Sequence, residues 1–450
     1  MNTQSHNQGT LVPARRQEWL LSSATGAALG ALAWVALPWA SGLCLLLAFL
    51  VGVCTQRRQA FALAWAYYLA ALCFLPIAAF AQPRGLGSAV FMLAVWLLGS
   101  AATAALWSLA LDPKGRAGHT AARLVLVWFV ALATPLGLMG MAHPLWGWAF
   151  AGDGFMGVVT LAVAPLVTAG LVLAIRRDRD RGGQGAGWSW KSPRSLSVLL
   201  CVILILKGAG DHTAVPKHAA RAVALHSQWS QLGTANALPL EQRLQRLQYA
   251  ASQLAGSAEQ PAVAELLVTG VGAFGVKSEA QALDFAREAA DKVTRGAITL
   301  GLGMRVTTDT QNDSADGSDR AQVAVGALAL VRTDQEPLLF CAHGWRDPVF
   351  AWGEAVARPA CLGGEHLFVY GGKQAPKQTM RVLLGDEALL AGLHLARQLM
   401  RPADVMLLAT SSAEPGESLG QSVQAKHFKA VAMLLKTPHL MAVNVVSQVD

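Results

Sequence analysis

The residues through which this chain would do chemistry are few, and most of them lie in its second half. Cys341 is followed two residues on by His343, with His366 further along; a thiol beside an imidazole is the couple that makes a nucleophile and its base. The ordinary reading of the same residues is a buried cysteine and a loop histidine. Glu387 closes Gly385-Asp386-Glu387, and Glu354 closes Trp352-Gly353-Glu354. Such carboxylates act as proton acceptors or as turn residues bonded to backbone N–H groups. Ser411-Ser412 marks a further elbow or loop, and His427 sits on a predicted helix, where a surface position is the default. Cys341 and Cys361 are able to pair, although their spacing alone does not show it. Cys44, Cys54, Cys73 and Cys201 fall in apolar runs and read as small core residues. No CxxC, HExxH, GxSxG or phosphate-cradling loop occurs, and Gly301-Leu302-Gly303 is too short to support a dinucleotide site. No metal or organic cofactor is implied.

The elements that must position these residues alternate in period. Leu240, Leu244, Leu247 and Leu254 recur at helical spacing, with Arg246 off that stripe. Val263–Val268 is a short apolar run suited to a buried strand, followed by a helix around Glu279–Arg295. Strands are predicted at Gly296–Val306, Val323–Val331, Pro337–Cys341, Arg381–Leu384, Asp404–Ala409 and His439–Val446. Helices are predicted near Ala388–Met400 and Gln421–Leu435. Thr308–Asp319 is polar and rich in Asp and Gly, the composition of an exposed hairpin connection. Alternating strands and helices argue for a layered α/β domain.

The first half reads differently. Hydrophobic residues make up 53% of the chain and charged residues 14%, against roughly 25% charged in an ordinary globular domain. A bilayer core needs roughly 20 apolar residues in a helix, and about seven runs qualify on that count: Leu21–Pro38, Ala40–Cys54, Ala60–Ala81, Ser88–Leu111, Ala122–Ala142, Phe155–Ile175 and Ser195–Gly208. Basic residues cluster in alternate connections: Arg15 and Arg16, Arg57 and Arg58, Lys114, Arg116 and Arg123, then Arg176 to Arg194. Cationic loops stay on the cytoplasmic side, so the pattern predicts a cytoplasmic N-terminus, seven crossings and a periplasmic C-terminal domain. Trp39, Trp146, Trp148, Trp188 and Trp190 would anchor the segment ends. The net charge of +8 then belongs to the inner loops and is no sign of a nucleic-acid partner. With no acidic or basic residue in the middle of a segment, a transporter's ion pathway has no carrier. The expected architecture is an α-helical polytopic membrane domain of about seven helices, followed by an α/β sandwich. Its parts would be a cytoplasmic tail over residues 1–18, a transmembrane domain over 19–209, a linker over 210–240 and the α/β domain over 241–450.

Several stretches resemble the nitrilase (carbon–nitrogen hydrolase) superfamily. From Met380, MRVLLGDEALLAGLHLARQLMRPADVMLLATSSAEP is similar to that family's strand, nucleophile elbow and helix. SVQAKHFKAVAMLLKTPHLMAVNVVS is similar to its next helix and strand, AVAELLVTGVGAFG to the segment carrying its base, and DPVFAWGEAVARP to its "VPFGE" element. The resemblance is to membrane-embedded members, the conjugal transfer proteins of the TraB kind and, more distantly, the apolipoprotein N-acyltransferases. That family uses a Glu as general base, a Lys for the oxyanion and a Cys nucleophile. Carried over position by position, the base falls on Val271, the lysine on Arg346 and the nucleophile on Gly385, while Glu354 and Glu387 keep acidic positions of the family. Valine accepts no proton, glycine has no attacking atom, and arginine keeps the charge but not the lysine geometry. The resemblance thus implies a nitrilase-like sandwich, shortened at its C-terminus, that is catalytically degenerate and acts in plasmid conjugation. Its partners would be the lipid bilayer, a phospholipid in the cleft and other conjugal transfer proteins. The alternative is an active N-acyltransferase or amidase, with Cys341 as a weak substitute nucleophile.

Overall fold

The structure, a computed structural model, describes residues 11–36, 43–76, 86–112, 114–131, 142–143, 155–180, 222–225, 229, 238–254, 265–293, 298–308, 323–332, 335–342, 367–370, 377–389, 391–411, 424–425, 427–429, 431–432, 435 and 437–444. The chain divides into two compact units, Met1–Thr213 and Ala214–Asp450.

The first unit is helical: α1 Leu11–Ala31, running into a π-helical turn at Leu32–Ala36, then α2 Leu46–Val53, α3 Arg57–Ala71, α4 Leu86–Ser108, α5 Ala117–Val130 and α6 Phe155–Asp180. Small residues set how closely α1 and α3 approach. A Cβ on Gly26 or Gly30 would collide with the backbone oxygen of Leu63 or Tyr67. Large aromatic side chains fill the interior; several satisfy their polar atoms there, while the ring nitrogens of Trp65 and the buried Trp128 have no hydrogen-bond partner among the described residues. Trp34 donates to the Tyr67 hydroxyl at 2.7 Å, Tyr67 donates to the Ala142 carbonyl at 2.9 Å, and Trp107 donates to the Tyr68 hydroxyl at 2.9 Å.

The seven-span membrane domain expected over residues 19–209 is corrected by this unit. Among the described residues, no helix is long and apolar enough to cross a membrane. Hydropathy joins residues that the backbone separates. Helices α2, α3 and α5 have 8, 15 and 14 residues, short of the roughly 20 that a bilayer core requires. Helix α1 opens with Arg15, Arg16 and Glu18, and α6 ends in Arg176-Arg177-Asp178-Arg179-Asp180. The last expected segment, Ser195–Gly208, and the five tryptophans read as anchors lie outside the described residues.

The second unit holds two sheets. Strands β1 Ala222–Leu225, β2 Leu266–Thr269, β3 Val276–Ser278, β4 Thr299–Thr308, β5 Val323–Val331 and β6 Leu338–Cys341 form the first, in the order β1-β2-β4-β5-β6 with β3 also on β4. Strands β7 Leu367–Tyr370, β8 Gln378–Leu384, β9 Val405–Ser411 and β10 His439–Asn444 form the second, in the order β10-β9-β8-β7. In it β8, β9 and β10 run parallel and β7 antiparallel. Strand β1 lies inside the stretch read as a linker, and it pairs with β2.

Period-2 alternation assigns the faces. Leu300, Leu302, Met304 and Val306 of β4, with Ala327 and Ala329 of β5, pack on helices α7 Leu240–Leu254 and α8 Glu279–Val293. Helix α8 buries Ala282, Phe285, Ala286, Ala289, Ala290 and Val293, one stripe at helical spacing. On the other face Leu266, Val268, Leu328, Leu330 and Phe340 meet Met380, Val382, Leu384, Leu407 and Leu440 of the second sheet. Arg381, between two of those residues on β8, turns away from this core and bonds to α9 Ala391–Met400. The unit is therefore built in the order helix, sheet, sheet, helix.

Candidate functional site

The parallel strands β2, β8, β9 and β10 end on one side of the sandwich, and the expected active positions sit just past their ends. Strand β2 runs into a tight turn, Gly270–Gly275. Ala273 and Gly275 donate to the Gly270 and Gly272 carbonyls at 3.3 and 3.1 Å, and Phe274 donates to Gly303 at 3.1 Å. Arg243, reaching from α7, donates to the Ala273 carbonyl at 2.9 Å. Phe274 anchors the turn between Trp229 and Phe285, with ring centroids 5.7 and 5.3 Å away. This turn presents Val271 to the core between the sheets, 5% exposed. A Cβ on Gly270 would collide with the Asn444 backbone, and the Thr410 carbonyl oxygen would lie 2.7 Å from it. Only glycine lets the β2 turn touch the ends of β9 and β10.

The second position is the elbow after β8. Gly385 has a φ of +52°, a left-handed conformation that suits glycine, and it opens a 3-10 turn, Gly385–Leu389. A Cβ there would meet no atom of the described residues within 4 Å. Glu387 folds back and accepts the Leu384 N–H at 2.9 Å, although it is itself buried. His394, on α9, donates from Nε2 to the Glu387 carbonyl at 2.7 Å. Among the described residues its Nδ1 has no hydrogen-bond partner. Burial pushes its imidazole down from 6.5 to about 4, against the pull of the Glu387 carbonyl. The elbow is held by buried polar bonds.

Side chains at this end that lay outside the sequence reading include those of Arg305 and Gln424. The Arg305 Nε and the Asn444 Nδ2 come within 3.9 and 3.7 Å of where a Cβ on Gly272 would be. Gln424 accepts a hydrogen bond from the buried Thr410 hydroxyl at 3.0 Å. Arg305 lies on β4 and reaches a turn that follows β2, a pairing set by strand register rather than by any local motif. His427 is buried, not on a helix surface.

Cys341 is removed as a substitute nucleophile on two counts. It is disulfide-bonded, so it has no thiol to ionise. Alternation along β6 also sends it to the helix-facing core, whereas Val271 belongs to the core between the sheets. Arg346, Glu354, His343, His366, Cys361 and Ser412 lie outside the described residues.

No sequence profile of a known family matches the chain, and no curated protein matches it either. The site must be read from its own atoms. Acyl transfer or amide hydrolysis needs an attacking atom and a proton acceptor facing one another. The positions that the family resemblance expects to hold these two groups are Gly385 and Val271.

Proposed function

We propose that Ala214–Asp450 is a nitrilase-like domain that has lost carbon–nitrogen chemistry and serves as a protein-binding scaffold in plasmid conjugal transfer, as its resemblance to TraB-like proteins suggests. The observation that carries this reading is the elbow at Gly385. Its left-handed backbone, its open Cβ position and its buried Glu387 bond keep the shape of a nucleophile turn without a nucleophile. The sheet-on-sheet layering with helices outside supports the same reading. The Cys341 disulfide argues against a relocated thiol enzyme.

Two measurements test it. The full chain is incubated with an alkyne-tagged phospholipid as acyl donor, digested and mapped. No acyl adduct is expected, and an adduct on any residue of Ala214–Asp450 would overturn the loss of chemistry. In parallel, conjugation frequency is compared in donor cells with and without the chain. A fall that the native chain restores is expected, and an unchanged frequency would remove the role in transfer.

A further inference from the structure

The turn after β2 gathers hydrogen-bond donors around one glycine. The Ala273 N–H donates to the Gly270 carbonyl at 3.3 Å, which closes a turn with Gly272 at its third position. Gly272 has a φ of +78°, the left-handed value that the third residue of a type II turn takes. The Arg305 Nε and the Asn444 Nδ2 lie 3.9 and 3.7 Å from the place where its Cβ would be, and no other atom of the described residues lies within 4 Å of that place. The third donor is the Gly272 N–H. Gly272 is buried, yet among the described residues this N–H makes no hydrogen bond. Buried backbone N–H groups are almost always paired, so this one asks for an acceptor supplied from elsewhere.

The fold fixes these donors. The Arg305 backbone N–H donates to the Gly275 carbonyl at 2.9 Å, which ties β4 to the far end of the same turn. Asn444 is fully buried at the end of β10, where it pairs with Ser411 of β9. A second guanidinium, that of Arg243, donates to the Ala273 carbonyl at 2.9 Å and makes no ion pair among the described residues. The turn therefore sits in a positive field, which favours an anion.

The chemistry of the occupant follows from the donors. Each is an N–H, so the occupant presents acceptors. Arg305 brings a full positive charge beside Gly272, so the occupant is an anion. A guanidinium carries five N–H groups and can serve the fold and a ligand together. One guanidinium beside one planar carboxamide suits a planar carboxylate, whose two oxygens accept from different donors. Glycine lets such a group come close to the backbone. The place agrees with the general rule that ligands of α/β sheets bind outside the carboxyl ends of the strands.

We propose that Arg305, Asn444 and the Gly272 N–H form a binding site for the carboxylate of a small organic acid, at the C-terminal ends of β2 and β10. The site requires no catalysis, and it stands whether or not the unit acts in conjugal transfer.

The test is amide hydrogen exchange of the full chain, read by mass spectrometry in overlapping peptides that span Thr269–Phe274. The probe is acetate, compared with chloride, inorganic phosphate and acetamide at matched pH and ionic strength. Exchange at Gly272 should slow about tenfold when acetate reaches about ten times its Kd, because the turn opens only after the ligand leaves. Chloride and acetamide, the neutral isostere of acetate, should leave the rate unchanged. Arg305→Gln should remove the acetate effect while α9 keeps its native protection. Equal rates in acetate and chloride, or equal slowing by acetamide, would overturn the site, and both comparisons use the native chain. An acetate effect that survives Arg305→Gln would overturn the assigned donors. Stronger slowing by phosphate than by acetate would overturn the carboxylate as the ligand class.

Discussion

Each unit of the molecule buries one arginine at the end of a helix, and the two are used to different ends. In the helical unit Arg176, on α6, donates to the Gly52 and Cys54 carbonyls at 2.7 and 2.6 Å, at the C-terminus of α2. In the α/β unit Arg381, on β8, donates to the Arg397 and Arg401 carbonyls at 3.3 and 2.6 Å and to Gln398 Oε1 at 3.1 Å, at the C-terminus of α9. Helix C-termini leave their last carbonyls without internal donors and carry partial negative charge, so a guanidinium fork suits both places. Arg176 binds one helix to another. Arg381 binds a helix to a strand, and that strand ends three residues on, at Leu384, where the elbow follows. The same device is packing in one unit and positions a turn in the other.

Arg381→Met should give the largest effect. It strands Gln398 Oε1 and two carbonyls in the interior, at a cost of about 4 kcal/mol. The unfolding midpoint of the α/β unit should fall by about 10 °C, and amide protection should drop in α9 and at Leu384. Arg381→Lys keeps the charge but not the fork and should recover only part of the loss. If α9 loosened while Leu384 kept its protection, Arg381 would be packing alone, like Arg176.

A pH series should follow in size. The His394 imidazole titrates at about 4 in the folded protein against 6.5 as its ordinary value, so the unfolded chain takes up the proton first. The stabilisation is complete above pH 6.5, shrinks as pH falls from 6.5 towards 4, and amounts to about 3 kcal/mol over that window. His394→Phe should flatten that slope when denaturation midpoints are compared at pH 7 and pH 4.5. An equal slope in the variant would place the acid sensitivity elsewhere.

Much of the α/β unit was legible because its signals are local. The predicted strand Val323–Val331 coincides with β5, and the leucine stripe from Leu240 coincides with α7. Gly385-Asp386-Glu387, placed after a strand by the family resemblance, opens a 3-10 turn after β8. The helical unit was misread because apolar composition does not record where helices stop. The Arg176 bond to the Gly52 carbonyl spans 124 positions, and nothing near Gly52 announces it. Arg305 was missed for the same reason. Its approach to Gly272 follows from β3 pairing with β4, Val276 opposite Arg305, which no short window reveals.

Arg176→Met should cost less than Arg381→Met, about 2 kcal/mol for two stranded carbonyls at a partly solvated site. Its effect should appear as faster amide exchange at the end of α2, with the α/β unit unchanged. A matching loss of protection at Leu384 would mean that the two arginines do not belong to independent units.

Glu387→Gln should give the smallest change and the sharpest distinction. The Leu384 N–H donates to a carboxylate at 2.9 Å, and a bond to a charged acceptor is roughly twice as strong as a neutral one. The amide keeps an acceptor oxygen but loses the charge, a cost of about 1 kcal/mol, or roughly fivefold faster exchange at Leu384. If Glu387 only holds the turn, that local exchange rate moves and neither acyl labelling nor conjugation frequency does. A change in labelling with the Leu384 rate unaltered would instead make Glu387 a working carboxylate, and the elbow would no longer be a shape kept without its chemistry.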